Sequence, residues 1–244
     1  MKLSPSLDLE TARVALRSGG RGRLSGVLDT KSLRQVTGAI GDVSKWLLVT
    51  RLAEKHLNLD AAAMRDLPPV QRAEFDARVA AAARAGFQYL YETYPLYDKA
   101  HAGILKDEAP VLAKLFAFLN SEAFLARMRD VLEAPQITFT DGQLTCYRGG
   151  HFLTRHDDGV AGKNRVAAFV LGLTDGWQGD WGGQLQFYDP AGNVEAAFVP
   201  RMNTLSLFKV PQPHAVSMVA NYVTVPRLAI TGWLRSGEDP GIDM

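Results

Sequence analysis

The chain has 244 residues, 47% of them hydrophobic, with 27 basic side chains against 26 acidic ones. That near-neutral balance argues against a general nucleic-acid or membrane-surface binder, and no apolar run reaches the length of a membrane span. A single cysteine, Cys146, precludes an intrachain disulfide. With residues 1–6 lacking the apolar core of a signal peptide, this points to a soluble cytoplasmic protein.

In chain order, residues 7–17 read as a short helix closed by Gly19-Gly20, and residues 21–28 alternate as a strand. Asp29 or Thr30 caps a segment in which Leu33, Val36, Ile40 and Val43 recur at helical spacing. Residues 46–51 have strand length, and 57–66 are ambiguous. Pro68-Pro69 opens the clearest helix, with Phe75, Val79, Ala82, Ala83, Phe87, Leu90 and Tyr91 on one stripe and Pro95 as its end. Two further helices are expected at 109–119 and 121–133. After Pro135 the texture becomes that of short strands: 137–140, a hairpin signal at Asp141-Gly142, 143–147, then 165–173, 184–188, 195–199, 204–210, 214–219 and 227–234. Many short strands between turn clusters indicate a sandwich or barrel. The fold class expected is α+β with a mainly β core. We expect one domain over 1–244, with a mostly helical supporting half at 1–134 and a catalytic core at 135–236.

The chemistry concentrates in Cys146-Tyr147-Arg148-Gly149-Gly150-His151-Phe152-Leu153-Thr154-Arg155-His156-Asp157-Asp158. It reads as a strand entering a tight acidic turn. Side chains two apart in extended backbone share a face, so His156 and Asp158 can aim at one point while Asp157 faces away. An imidazole and a carboxylate are two-thirds of the 2-His-1-carboxylate set that holds non-haem Fe(II). His214, after an apolar strand, is the candidate third ligand. Arg227 then opens another apolar strand, where a cation is costly to bury unless an anion meets it. His56, His101 and His151 read as structural. Trp177 and Trp181 sit in a glycine-rich loop, equally suited to pinning it or touching substrate, and residues 159–164 are a candidate flap.

His-x-Asp, a distant His and then an Arg on the following strand resemble the 2-oxoglutarate/Fe(II)-dependent dioxygenases. Cys-Tyr before the motif, Arg-His-Asp-Asp at it and Arg227-Leu228-Ala229-Ile230-Thr231-Gly232-Trp233 at the end resemble the prolyl-hydroxylase branch. Within it the likeness is to ribosomal-protein prolyl hydroxylases and their bacterial relatives, over about residues 144–235. The resemblance implies a double-stranded β-helix, or jelly roll, with supporting N-terminal helices. It implies Fe(II) on His156, Asp158 and His214, and 2-oxoglutarate with its far carboxylate on Arg227 and Tyr147. O2 is the other co-substrate, and ascorbate a candidate reductant. Asp157, Trp181 and Thr231 are candidates for outer or entrance positions, and Leu171 for lining the pocket. Succinate and CO2 are the products beside a hydroxylated C–H bond. The substrate implied is a prolyl residue of a protein, ribosomal or translation-related. Such relatives often carry a second, non-catalytic copy of the fold, for which 244 residues leave no room. A free amino acid or small metabolite therefore stays open as substrate. So do a Zn hydrolase, a cupin-like isomerase on the same three ligands, and a non-catalytic binding module.

Overall fold

The computed structural model describes residues 1–241. Eight helices supply most of the first half: α1 (Leu9–Gly19), α2 (Thr30–Ile40), α3 (Ala61–Arg65), α4 (Pro69–Ala85), α5 (Leu96–His101), α6 (Leu105–Glu108), α7 (Pro110–Leu119) and α8 (Glu122–Leu132). Their starts follow from capping. Asp8, Asp29 and Asp60 each accept a backbone N–H from three residues on, satisfying donors that the first turn leaves without a partner. Gly20, at φ 67°, ends α1 in the left-handed conformation that glycine adopts without strain.

Thirteen strands, all antiparallel, are described: β1 (Arg21–Ser25), β2 (Leu47–Leu52), β3 (Lys55–Asp60), β4 (Tyr89–Pro95), β5 (Ile137–Thr140), β6 (Gln143–Tyr147), β7 (Phe152–His156), β8 (Arg165–Gly172), β9 (Leu185–Tyr188), β10 (Val194–Phe198), β11 (Thr204–Lys209), β12 (His214–Val216) and β13 (Arg227–Ser236). They join in the order β1-β11-β8-β13-β6-β4-β7-β12-β9-β10, with β2 and β3 added through β4 and with β5 on β13. The sheet curls until its ends face each other. Arg21 on β1 pairs with Glu195 on β10 at 3.1 Å, and Arg23 donates to the Val199 carbonyl at 2.9 Å. Closure there comes from arginine side chains, not from a strand ladder. This is the jelly roll expected, with its mainly β core and helical cover.

Two local expectations are corrected. The helix opened by Pro69 does not run on to Pro95: it stops at Ala85, and Tyr89–Pro95 is the strand β4. Gly86 breaks the helix, and the dense aromatic residues beyond it suit a central strand, here flanked by β2, β6 and β7. Asp141-Gly142 is not a hairpin turn. β5 and β6 both pair with β13, against residues 234–236 and 227–231 respectively, so they follow one another along the same neighbour. Asp141 earns its place differently, its carboxylate accepting the Trp233 backbone N–H at 2.7 Å.

The two faces of the curled sheet have different partners. On the outside Leu144, Leu207, Ile230 and Leu234 pack with Leu16, Val36, Leu112, Leu115 and Met128 of the helices in the main core. A smaller cluster (Leu48, Ala61, Val79, Leu90 and Phe152) lies under α4. Full burial of such side chains is worth roughly 1.5–3 kcal/mol each. Leu171 belongs to the main core at 1% exposure and does not line the site. Among the described residues no helix is long and apolar enough to cross a membrane.

Candidate active site

β7 and β12 run antiparallel with His156 directly opposite His214, which brings the two imidazoles to a centroid separation of 4.1 Å. Each ring is oriented by its own backbone. His156 Nδ1 meets the Thr154 carbonyl at 3.0 Å, and His214 Nδ1 meets that of Gln212 at 2.8 Å. An Nδ1–H donated to a carbonyl leaves Nε2 with the lone pair, the tautomer a metal ligand needs. The Nε2 atoms of His156 and His214 lie 3.3 and 3.4 Å from the two carboxylate oxygens of Asp158. These three residues are the one group of metal-type ligands that converges among the described residues.

Asp158 arrives by a route the sequence did not show. β7 ends at His156, and Asp158 lies beyond it at φ 63°, so a left-handed turn and not strand alternation swings its carboxylate back over the histidines. Aspartate is among the few residues that enter this region readily. Burial pushes the Asp158 carboxyl up, but His156, His214 and the Trp233 indole outweigh it and hold the group below the usual carboxylate range. Burial, with His156 beside it, lowers His214 to about 4. At neutral pH the set is therefore one anion and, at His214, a neutral imidazole.

The triad opens into a cavity of about 440 Å³ inside the curled sheet. Arg227 lies on its far wall, 3% exposed, with Nε and Nη1 buried and lacking any hydrogen-bond partner. Burial lowers its pKa, yet the guanidinium stays charged because its ordinary value is so high. It stands opposite Tyr147 across β13 and β6, 5.0 Å over the ring. Tyr147 in turn stacks on Tyr91 at 4.9 Å, and burial raises its phenol well above the ordinary value. Gly183, at φ 64°, makes room: a Cβ there would sit 3.0 Å from Arg227 Cδ. Two imidazoles and one carboxylate form the ligand set that suits Fe(II) with open positions. A buried cation with unused donors in the same cavity suits a dicarboxylate's distal end. The residues fit both groups.

The other candidates divide. Thr231 lines the cavity. Asp157 is exposed and accepts the Gly159 N–H at 3.0 Å, which shapes the turn. Trp181 packs edge-on against Trp177 at 5.3 Å, outside the cavity lining. Residues 159–164 are tied down at one end, where Arg235 Nε donates to Lys163 O at 2.8 Å and Ser236 N to Asn164 O at 3.0 Å. His151 and His101 lie outside the cavity, whereas His56 reaches its rim, its Nδ1 2.6 Å from Tyr89 Oη. Sequence reasoning missed Tyr89 and Tyr91 as wall residues because it kept Tyr91 on a helix. Their alternation with Leu90 and Glu92 was the available signal. A larger groove of about 770 Å³ lies elsewhere, between α4 and the outer face of β7, β12 and β9, and holds none of the triad.

Residues 142–235 match the family model of the 2OG-Fe(II) oxygenase superfamily. No curated protein matches the sequence. Among solved structures, a Pseudomonas putida prolyl-4-hydroxylase is similar at TM-score 0.59 and 19% identity, over 95% of this chain and 100% of that one. A Trichoplax adhaerens prolyl hydroxylase, in complex with a hypoxia inducible factor oxygen degradation domain peptide fragment, is similar at TM-score 0.63 and 18% identity, over 93% and 89%. A Burkholderia pseudomallei oxidoreductase of the 2OG-Fe(II) oxygenase family is similar at TM-score 0.60 and 12% identity, over 99% and 98%. At these identities the structural likeness is one of fold.

Proposed function

We propose, from the premise that residues 142–235 match the family model of the 2OG-Fe(II) oxygenase superfamily, that the protein hydroxylates a prolyl residue of a protein or peptide. In the balanced reaction 2-oxoglutarate, O2 and substrate C–H give succinate, CO2 and C–OH, one oxygen atom entering each of succinate and product. His156, Asp158 and His214 would hold Fe(II), which when bound supplies the activation of O2 that couples the two oxidations.

The remaining work belongs to the chain's own side chains. Arg227 would bind the distal carboxylate of 2-oxoglutarate through the N–H groups left over, and the Tyr147 hydroxyl of the same cavity would join it. The apolar wall around that end keeps water from competing, so the charge-assisted bonds act at low local dielectric. The Nδ1 hydrogen bonds to Thr154 and Gln212 hold the imidazoles from rotating. Phe87, Tyr89 and Tyr91 offer a rigid aromatic side to the same cavity, a surface on which a pyrrolidine ring packs with little entropy cost.

The observation that carries this reading is Arg227. A zinc hydrolase or isomerase on the same triad has no use for a buried guanidinium with two unused donors. The prolyl part is supported by the aromatic wall and by the two prolyl hydroxylases of the same fold. The test is O2-dependent succinate formation by Fe(II)-loaded protein, compared with His156→Ala, followed by mass spectrometry of proline-containing peptides with and without ascorbate. Gain of one oxygen on proline supports the full reading. Absence of any 2-oxoglutarate binding or turnover would sink it.

A further inference from the structure

Asp158 is held in its left-handed turn by a neighbour that no part of the reaction requires. Its carbonyl oxygen accepts the Val160 N–H at 3.0 Å and also Arg165 Nη1 at 3.2 Å. The same Nη1 stands 3.8 Å from the Asp158 carboxylate oxygen Oδ1. One nitrogen therefore reaches both the backbone and the side chain of the residue. Arg165 is itself fixed, since it begins β8 and its guanidinium lies 3.5 Å over the Trp233 ring of β13. Trp233 lines the cavity with its Nε1 buried, so its part is to hold the Arg165 guanidinium flat against its ring.

On the reading that His156, Asp158 and His214 bind a divalent metal, we infer that Arg165 and Trp233 act as positioning residues. Together they lock the backbone turn and the side-chain angle that deliver the Asp158 carboxylate to the histidines. The alternative role of Arg165, as a mere nearby charge, has the opposite consequence. A cation beside an anionic ligand competes electrostatically with the metal, so removing it should tighten binding. Removing a geometric clamp should loosen binding. Outer-shell partners of metal ligands typically change affinity about 10- to 100-fold.

Cobalt(II) serves as the probe, titrated into metal-free protein and followed by its visible absorption. For Arg165→Gln we expect binding weaker by about 10- to 100-fold, with shifted bands as the carboxylate loses its fixed direction. Arg165→Lys keeps the charge but not the planar stack on Trp233, and should be nearly as weak. Trp233→Leu removes the platform and should weaken binding in the same sense. Far-UV circular dichroism and melting of the metal-free variants separate misfolding from a local loss. Unchanged or tighter cobalt binding in Arg165→Gln, or full rescue by Lys, overturns the inference. So does a collapse of the fold in both the Arg165 and Trp233 variants, which would make the pair generally structural. Failure of the unaltered protein to bind cobalt would instead remove the metal site on which the inference rests.

Discussion

Arg227→Met is the most discriminating substitution, because it should raise stability while destroying co-substrate binding. Arg227 is 3% exposed with Nε and Nη1 unsatisfied, and leaving a buried donor unpaired costs about 1–3 kcal/mol. Methionine fills similar volume with no donor. Against the relief stands the lost interaction with the Tyr147 face, 5.0 Å away, worth about 0.5–2 kcal/mol. Two such donors relieve about 2–6 kcal/mol, so the balance is a gain of roughly 0–5 kcal/mol, and its centre of about 2–3 kcal/mol corresponds to a rise of about 4–12 °C in Tm for a chain of this size. Loss of two charge-assisted hydrogen bonds, at about 1.5–3 kcal/mol each, should weaken 2-oxoglutarate roughly 150- to 20,000-fold. The assays are calorimetric melting of metal-free protein and 2-oxoglutarate titration in the presence of Mn(II). A variant that melts lower than the parent and still binds 2-oxoglutarate normally would show that Arg227 is an ordinary structural cation.

Gly182→Ala should cost at least about 2 kcal/mol, from a strained positive φ and a backbone collision. The new Cβ would fall 1.9 Å from the Met218 carbonyl at φ 72°, and a melting curve indistinguishable from the parent would refute the packing described. Lys45, Lys99 and Tyr94 hold the Glu108 carboxyl down to about 2. The lowered pKa means its stabilisation is complete above the unfolded value near 4.5 and fades as pH falls toward 2. Glu108→Gln should therefore melt below the parent at pH 7 and converge with it near pH 2; a gap that widens on acidification contradicts this. For the metal set, His214→Ala should abolish cobalt binding while leaving circular dichroism intact, and chelation followed by Fe(II) should restore turnover in the parent alone.

Much of the site was legible because its pieces lie in short, chemically dense stretches. His156, Asp158, His214, Arg227 and Tyr147 all fall on or beside strands whose apolar alternation is plain, and their order along the chain carries the motif. What the sequence left hidden depends on the third dimension. Period-two reasoning reached Asp158, but the structure reaches it through a left-handed turn. Arg165 sits seven residues from Asp158 across a loop, with nothing local to link them. Tyr89 and Tyr91 were lost because an alanine-rich helix precedes them, and helical spacing can be continued past Gly86 by chance. Asp141-Gly142 has hairpin composition, yet β13 is long enough to take β5 and β6 in succession. There tertiary pairing overrides turn chemistry.

β13 turns Arg227, Thr231 and Trp233 to the cavity and Leu228, Ile230 and Leu234 to the helical core. Because the side-chain period is two, this strand tolerates changes of identity far better than changes of length. A residue inserted at the exposed Thr224-Val225 positions lengthens a loop and leaves both faces in place. The same insertion between Leu228 and Ile230 reverses everything on one side of it, sending a guanidinium among leucines or an isoleucine into the cavity. Libraries that vary loop length should accordingly find this chain permissive just before Arg227 and intolerant just after it, over a distance of only a few residues.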